Sequence, residues 1–144
     1  MGSDPLFTAR GTVTGGRDGH ATGESGFPDL ALSLPKELGG PGADGTTNPE
    51  ELFALGYGAC FLSAVGHLAT KRKLDAGDLK MQTDVSLIPD DGSFALRVRL
   101  HVTMPNVELD EAKQVMHAAH EICPYSNATR GNVDVTLMVN DSPV

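Results

Sequence analysis

The sequence predicts an α+β domain, and three patterns carry that prediction. Apolar residues alternate at Leu79, Met81, Thr83, Val85 and Leu87, and again at Phe94, Leu96, Val98, Leu100 and Val102, on either side of Pro89-Asp90-Asp91-Gly92. That is two strands and a turn. Nineteen residues without a formal charge run from Leu52 to Thr70, directly after a helix-start signal. A further apolar series, Ala112, Val115, Met116, Ala119, Ile122 and Cys123, recurs at helical spacing. The order is strands, helix, hairpin, helix, strand, which is an α+β arrangement rather than a regular βαβ alternation.

Each element has its own local cause. Phe7, Ala9, Gly11 and Val13 alternate, as do Leu30, Leu32 and Leu34, with the turn-rich GGRDG (15–19) between them, so the chain opens with a small meander. The loop GGPGADGTT then leads to Asn48-Pro49-Glu50-Glu51. Asn48 suits the N-cap, Pro49 the first helical position, and Glu51 can close a capping box. The helix is predicted to run to about Lys73, with Lys71, Arg72 and Lys73 at the negative end of its dipole. After Pro105 a second helix is predicted to end at Cys123, because the residue before a proline is biased out of helical geometry. Val133, Val135, Leu137 and Val139 alternate as a last strand.

Composition narrows the function classes. At 144 residues the chain suits one domain, 1–144, and its formal net charge of −8 argues against a nucleic-acid partner, which needs a basic surface. The N-terminus shows no basic stretch followed by an apolar run, so a cytoplasmic protein is expected. The uncharged stretch is nearly long enough to cross a bilayer. Three glycines, Ser63, His67 and Tyr57 within it point instead to a soluble core helix. Because Leu52, Phe53, Leu55, Ala59, Phe61, Leu62, Val65 and Leu68 cover most of its circumference, that helix needs burial on every side. One small sheet and one shorter helix cannot supply it all, which implies a homodimer.

Only two cysteines are present, Cys60 in mid-helix and Cys123. A buried thiol is commonly an inert small hydrophobe. In a reducing compartment two cysteines are also the minimum set for redox chemistry, one thiolate to attack and a second thiol to close a disulfide. Cys123 would face the negative end of its helix dipole, so Cys60 is the better nucleophile, provided a cation lies near it. The next basic residue on its own helix is Lys71, three turns on, leaving Arg10, Arg17 or Arg130 as the source. A metal site at His117, His120 and Cys123 is disfavoured, since two steps of three residues drift through about 120° and about 9 Å along a helix. No metal or organic cofactor is expected.

The stretches GGRDG (15–19), GGPGADGTTNPEELFALGYGACF (39–61) and CPYSNATRGNVDV (123–135) resemble, in order and across essentially the whole chain, the Ohr group of the Ohr/OsmC superfamily, the organic hydroperoxide resistance proteins. The resemblance implies an OsmC-like fold, with antiparallel sheets packed around a long buried central helix in an intertwined homodimer. It implies that Cys60 is the peroxidatic thiol and Cys123 the resolving thiol. Arg17 and Glu50 would be the pair that holds and activates the Cys60 thiolate. Dihydrolipoamide, free or protein-bound, would reduce the resulting disulfide.

Without the resemblance Arg17 reads as a solvated turn residue and Glu50 as a partner of the helix N-terminus. Glu50 and Cys60, ten residues apart, differ by about 15 Å of rise and about 80° in direction on a straight helix. If they share a site, Glu50 and Arg17 reach Cys60 from a second subunit or across a broken helix. Phe27, Phe53, Leu55 and Tyr125 are candidates to line a pocket for an organic hydroperoxide. Two rival readings remain at this point: a dimeric non-enzymatic module carrying a lipid-like ligand, and an OsmC-type peroxidase with a different peroxide preference.

Overall fold

The structure is a computed structural model that describes residues 2–144. It forms two compact units, one ending at Pro49 and the other running from Glu50 to Val144.

The first unit is a three-stranded antiparallel meander of β1 (Gly11–Thr14), β2 (His20–Gly23) and β3 (Asp29–Ala31). Arg17 sits on the short helical turn Gly16–Asp18 between β1 and β2. The predicted alternation at Phe7 and Ala9 lies before the first strand, and β2 occupies a stretch, 20–23, to which the apolar pattern assigns no strand. His20, Ala21, Thr22 and Gly23 are too small or too polar to give an apolar alternation, yet they pair in register with both neighbours. Leu32, Ser33 and Thr47 are its buried residues, joined by a bridge between Leu32 and Thr47.

The second unit carries the main core. Helix α1 (Pro49–Lys71) buries Tyr57, Gly58, Phe61, Val65 and Ala69, one stripe at three- and four-residue spacing. It ends two residues before the predicted Lys73. There Lys73 adopts left-handed geometry (φ 59°), while the N–H of Leu74 reaches back to the carbonyl of Ala69, capping the helix end that glycine more often closes.

Strands β4 (Lys80–Asp90) and β5 (Ser93–Thr103) form a hairpin paired through all eleven positions. Only Asp91 and Gly92 turn the chain, both with positive φ, as a tight two-residue hairpin requires. Pro89 is tolerated inside a strand because β4 is the sheet edge. Val98, Leu100 and Val102 point inward and are fully buried, each contributing about 1.5–3 kcal/mol on the usual transfer scale. Arg97, Arg99 and His101 alternate to the outer face, where they pair with Asp134, Asp84 and Asp141.

Helix α2 (Leu109–Ile122) closes the core with Ala112, Val115, Met116 and Ala119. A six-residue helix not foreseen in the sequence, α3 (Pro124–Thr129), follows at once. Pro124 is therefore a beginning as well as an end: its fixed φ and missing N–H suit the first helical position. Strand β6 (Asp134–Val139) then pairs with β5, and the two-residue β7 (Ser142–Pro143) with β6.

The order β4-β5-β6-β7 corrects one expectation, because β6 runs parallel to β5. The sheet is mixed rather than antiparallel. A chain leaving β5 and crossing through two helices re-enters at the same end, which is the condition for parallel pairing.

Candidate active site

The two cysteines meet inside the second unit. The Cys123 thiol donates toward Cys60 sulfur at 3.4 Å. Both are free thiols, so forming a disulfide of about 2.05 Å would need an approach of about 1.4 Å. Cys60 is half-buried on α1 and Cys123 is fully buried. Cys123 is the hinge between α2 and α3, held extended (φ −65°, ψ 124°) by the proline that follows it, while its N–H still bonds the carbonyl of Ala119.

Opposing influences act on the Cys60 thiol. Burial, the largest, pushes its pKa up, the backbone N–H of Tyr125 pulls it down by hydrogen bonding to the sulfur, and the hydrogen bond and charge of Cys123 push it up again. The net direction is upward. A thiolate at neutral pH thus requires positive charge beyond these contacts.

Aromatic rings flank the pair. Phe53, Tyr57 and Phe61 recur at four-residue spacing on α1, with ring centroids 6.1 Å and 6.4 Å apart in edge-on contact. Tyr125 from α3 lies 5.6 Å from Tyr57 and 6.3 Å from Phe53. Its approach depends on Gly56, where a Cβ would stand 2.8 Å from the Tyr125 hydroxyl. An alanine at position 56 would make the Tyr125 ring shift.

A buried polar network unremarked in the sequence lies behind this wall. The Tyr57 hydroxyl is 2.8 Å from Ser126 Oγ and 3.1 Å from Thr129 Oγ1, and Ser126 Oγ is also 2.8 Å from His120 Nδ1. Burial above all, with the charges of Arg130 and His117, lowers the His120 pKa against a smaller opposing effect of Glu121, so the imidazole is neutral at physiological pH. The Nδ1 of that neutral ring shares its hydrogen bond with Ser126 Oγ.

Of the candidate residues, the structure brings Cys60, Cys123, Phe53 and Tyr125 together in the second unit. Leu55 is 65% exposed and lies five residues before Cys60, about 140° around α1. It lines a separate apolar groove of about 240 Å³ with Ala54, Gly58, Ala59, Leu62, Met81 and Thr83. Glu50 is half-buried in the first turn of α1. Arg17, half-buried, and Phe27, 81% exposed, belong to the first unit.

Arg130 donates to the His120 carbonyl at 2.6 Å, and Arg10 pairs with Glu24 at the surface. The His117, His120 and Cys123 row diverges: His117 is exposed, His120 bonds Ser126, and Cys123 faces Cys60.

A two-layer α+β unit with a long central helix presenting one cysteine to a second is the arrangement of a recognisable class. The family model described as OsmC-like protein matches residues 41–138. The organic hydroperoxide resistance protein of Xanthomonas axonopodis pv. citri is 46% identical over 133 residues, covering 92% of this chain and 93% of that protein. Among solved structures, that of the organic hydroperoxide resistance protein OhrB of Bacillus subtilis superposes with a TM-score of 0.85 at 44% identity, covering 94% of this chain and 99% of the other. An organic hydroperoxide resistance protein from Legionella pneumophila gives a TM-score of 0.88 at 46% identity, over 94% and 98% of the respective chains. The chain belongs to the OsmC-like family, and within it to the organic hydroperoxide resistance group.

Proposed function

We propose that the protein is a cysteine-based peroxidase that reduces organic hydroperoxides to alcohols. The observation that carries this reading is the 3.4 Å approach of Cys60 and Cys123 sulfurs across 63 residues of sequence. Two thiols that are close and unequally exposed have the geometry of an attacking and a resolving pair. The names of the relatives supply the substrate class.

In the first step the Cys60 thiolate attacks the distal oxygen of ROOH. The O–O bond breaks, the alkoxide takes a proton and leaves as alcohol, and Cys60 becomes a sulfenic acid. In the second, Cys123 sulfur attacks Cys60 sulfur. The sulfenic hydroxyl departs as water with the Cys123 proton, and the disulfide forms. Dihydrolipoamide returns both cysteines to thiols and becomes lipoamide. Arg17 supplies the positive charge that the raised Cys60 pKa calls for, and Glu50 orients it. No metal or organic cofactor takes part.

The working assembly is a homodimer of this one functional domain, 1–144, in the cytoplasm. Two observations support the dimer. The α1 groove around Leu55 and Ala59 is apolar and open, and Leu6, Phe7, Val13 and Phe27 leave large apolar area exposed on the first unit. A second copy covers both and brings Phe27 and Leu55 into the substrate pocket beside Phe53 and Tyr125.

The test is a stopped-flow titration of reduced protein with tert-butyl hydroperoxide and with hydrogen peroxide. One equivalent of the alkyl hydroperoxide should be consumed in a fast phase, with formation of the 60–123 disulfide. A Cys60 that reacts no faster than free cysteine would support a lipid-carrying module instead, and faster reaction with hydrogen peroxide would support the OsmC-type preference.

A further inference from the structure

Helix α3 has six residues, well below the roughly 12–15 at which an isolated helix becomes even marginally stable in water. Yet both groups that meet Cys60 hang on its start. Cys123 is its N-cap, and the Tyr125 N–H that bonds Cys60 sulfur is in its first turn, where helix geometry leaves N–H groups without an internal partner. Something else must fix this turn.

The fixed point is Ser126. Its side chain is fully buried, with Oγ 2.8 Å from Tyr57 Oη on α1 and 2.8 Å from His120 Nδ1 on α2. One hydroxyl thus ties three helices together. Thr129, one turn on, repeats the tie through Tyr57 Oη at 3.1 Å and donates to the Ser126 carbonyl at 3.2 Å. Four contacts need four protons: His120 Nδ1–H donating to Ser126 Oγ, Ser126 to Tyr57 Oη, Tyr57 to Thr129 Oγ1 and Thr129 to the Ser126 carbonyl fill them all. A methyl group in place of the Ser126 hydroxyl leaves Tyr57 and His120 each short of a partner in a buried site.

Resting on the peroxidase reading for its consequence in turnover, we infer that Ser126, clamped between Tyr57 and His120, is a positioning residue that holds the Cys123 thiol and the Tyr125 N–H against Cys60. Two effects follow. Loss of the clamp lets Cys123 swing away, so closure of the disulfide slows and the exposed sulfenic acid lives long enough to meet a second peroxide and become sulfinic acid. Loss of the Tyr125 hydrogen bond removes a contact that pulls the Cys60 pKa down, so thiolate forms only at higher pH.

The experiment compares wild type, Ser126→Ala, Tyr57→Phe and the double variant. Tyr57→Phe keeps the ring packing and removes only the hydroxyl. Three readouts are taken on each folded protein: disulfide closure driven by the thiol oxidant diamide, the pH midpoint of Cys60 alkylation by iodoacetamide, and the ratio of sulfinic Cys60 to disulfide after excess tert-butyl hydroperoxide.

Each single variant should close about tenfold more slowly, titrate Cys60 at higher pH, and shift the peroxide products toward sulfinic acid. The double variant should be no worse than the stronger single one, because both break the same clamp. Wild-type closure rates and alkylation midpoints in both single variants, whatever their melting temperatures, would overturn the inference. Fully additive effects would also overturn it, because they would mean separate roles. If wild type fails to react with peroxide, the peroxidase reading falls while diamide closure and alkylation still decide the clamp.

Discussion

The two units of this chain divide the labour unequally. The second buries a continuous core of aromatic and aliphatic side chains from α1, α2, β5 and β6, and it holds both sulfurs. In the first, every residue of β1 is exposed and Leu32 is the one buried aliphatic side chain among that unit's described residues. A three-stranded meander with so little core is marginal by itself. The contrast teaches that the proposed redox pair is built where the structure is most constrained. The proposed activating arginine, by contrast, is carried where the chain has least to gain from folding alone. Stability and charge supply are thereby separable, and mutations should separate them.

The largest expected effect is loss of the chemistry within the stable unit. Cys60→Ser should leave no peroxide reduction above background, while Cys123→Ser should react once and accumulate sulfenic or sulfinic Cys60, as mass spectrometry would show. Equal loss of the first turnover in both would break the assignment of roles.

Next comes the first unit. Arg17→Ala should slow attack about 10–100-fold, by removing an opposite charge of the kind that shifts a pKa by about 1–3 units. The sign follows from the thiol's acidity: a raised Cys60 pKa leaves less thiolate at neutral pH, so the alkylation profile should move to higher pH. The melting temperature should hardly change. Arg17→Lys should fall between, since a lysine keeps the charge but loses the planar fork. An unchanged pH profile would return Arg17 to the status of a turn residue.

Ala59→Glu places a charge in the open groove of α1 and should convert the proposed dimer to monomer in sedimentation without changing the secondary structure. Within the second unit, Tyr57→Phe should reduce stability by about 1–3 kcal/mol in denaturant titration, the cost of partners left unsatisfied in a buried network. The smallest effect, and the sharpest check on the division, is Lys73→Gly. It relieves a left-handed lysine and should raise stability by a few tenths to about 1 kcal/mol while leaving the peroxide rate untouched.

Much of this was legible because periodicity reports burial. The hairpin, α1 and the buried stripe of α2 announce themselves through apolar spacing, and Cys60 and Cys123 stand out as candidates because they are two thiols, which the fold then places 3.4 Å apart. The losses have a common cause in residues whose role depends on partners distant in sequence. Nothing in His20-Ala21-Thr22-Gly23 marks an inner strand until its two neighbours are seen. Ser126 and Thr129 look like hydroxyls of a polar loop, and Tyr57 like one more large side chain in an apolar helix. Only folding turns them into a network. Pro124 after Cys123 was the available clue to α3, since a proline that stops one helix also suits the start of another. The parallel pairing of β6 with β5 likewise follows from the path of the crossover, which no local pattern encodes.

That parallel pairing also has a meaning for the order of assembly. The β4–β5 hairpin needs only a two-residue turn and can zip locally on a microsecond scale, whereas β6 can join β5 only after the intervening chain has collapsed into α2 and α3. Contacts of long sequence separation form late, because loop closure must precede any gain from them. Cys123 lies on that late-arriving crossover, so during synthesis Cys60 is complete on the growing chain well before its counterpart is in place. A nascent chain that meets oxidant at this stage cannot form the intramolecular bond. The proposed 60–123 disulfide is within reach only of a chain whose crossover has folded.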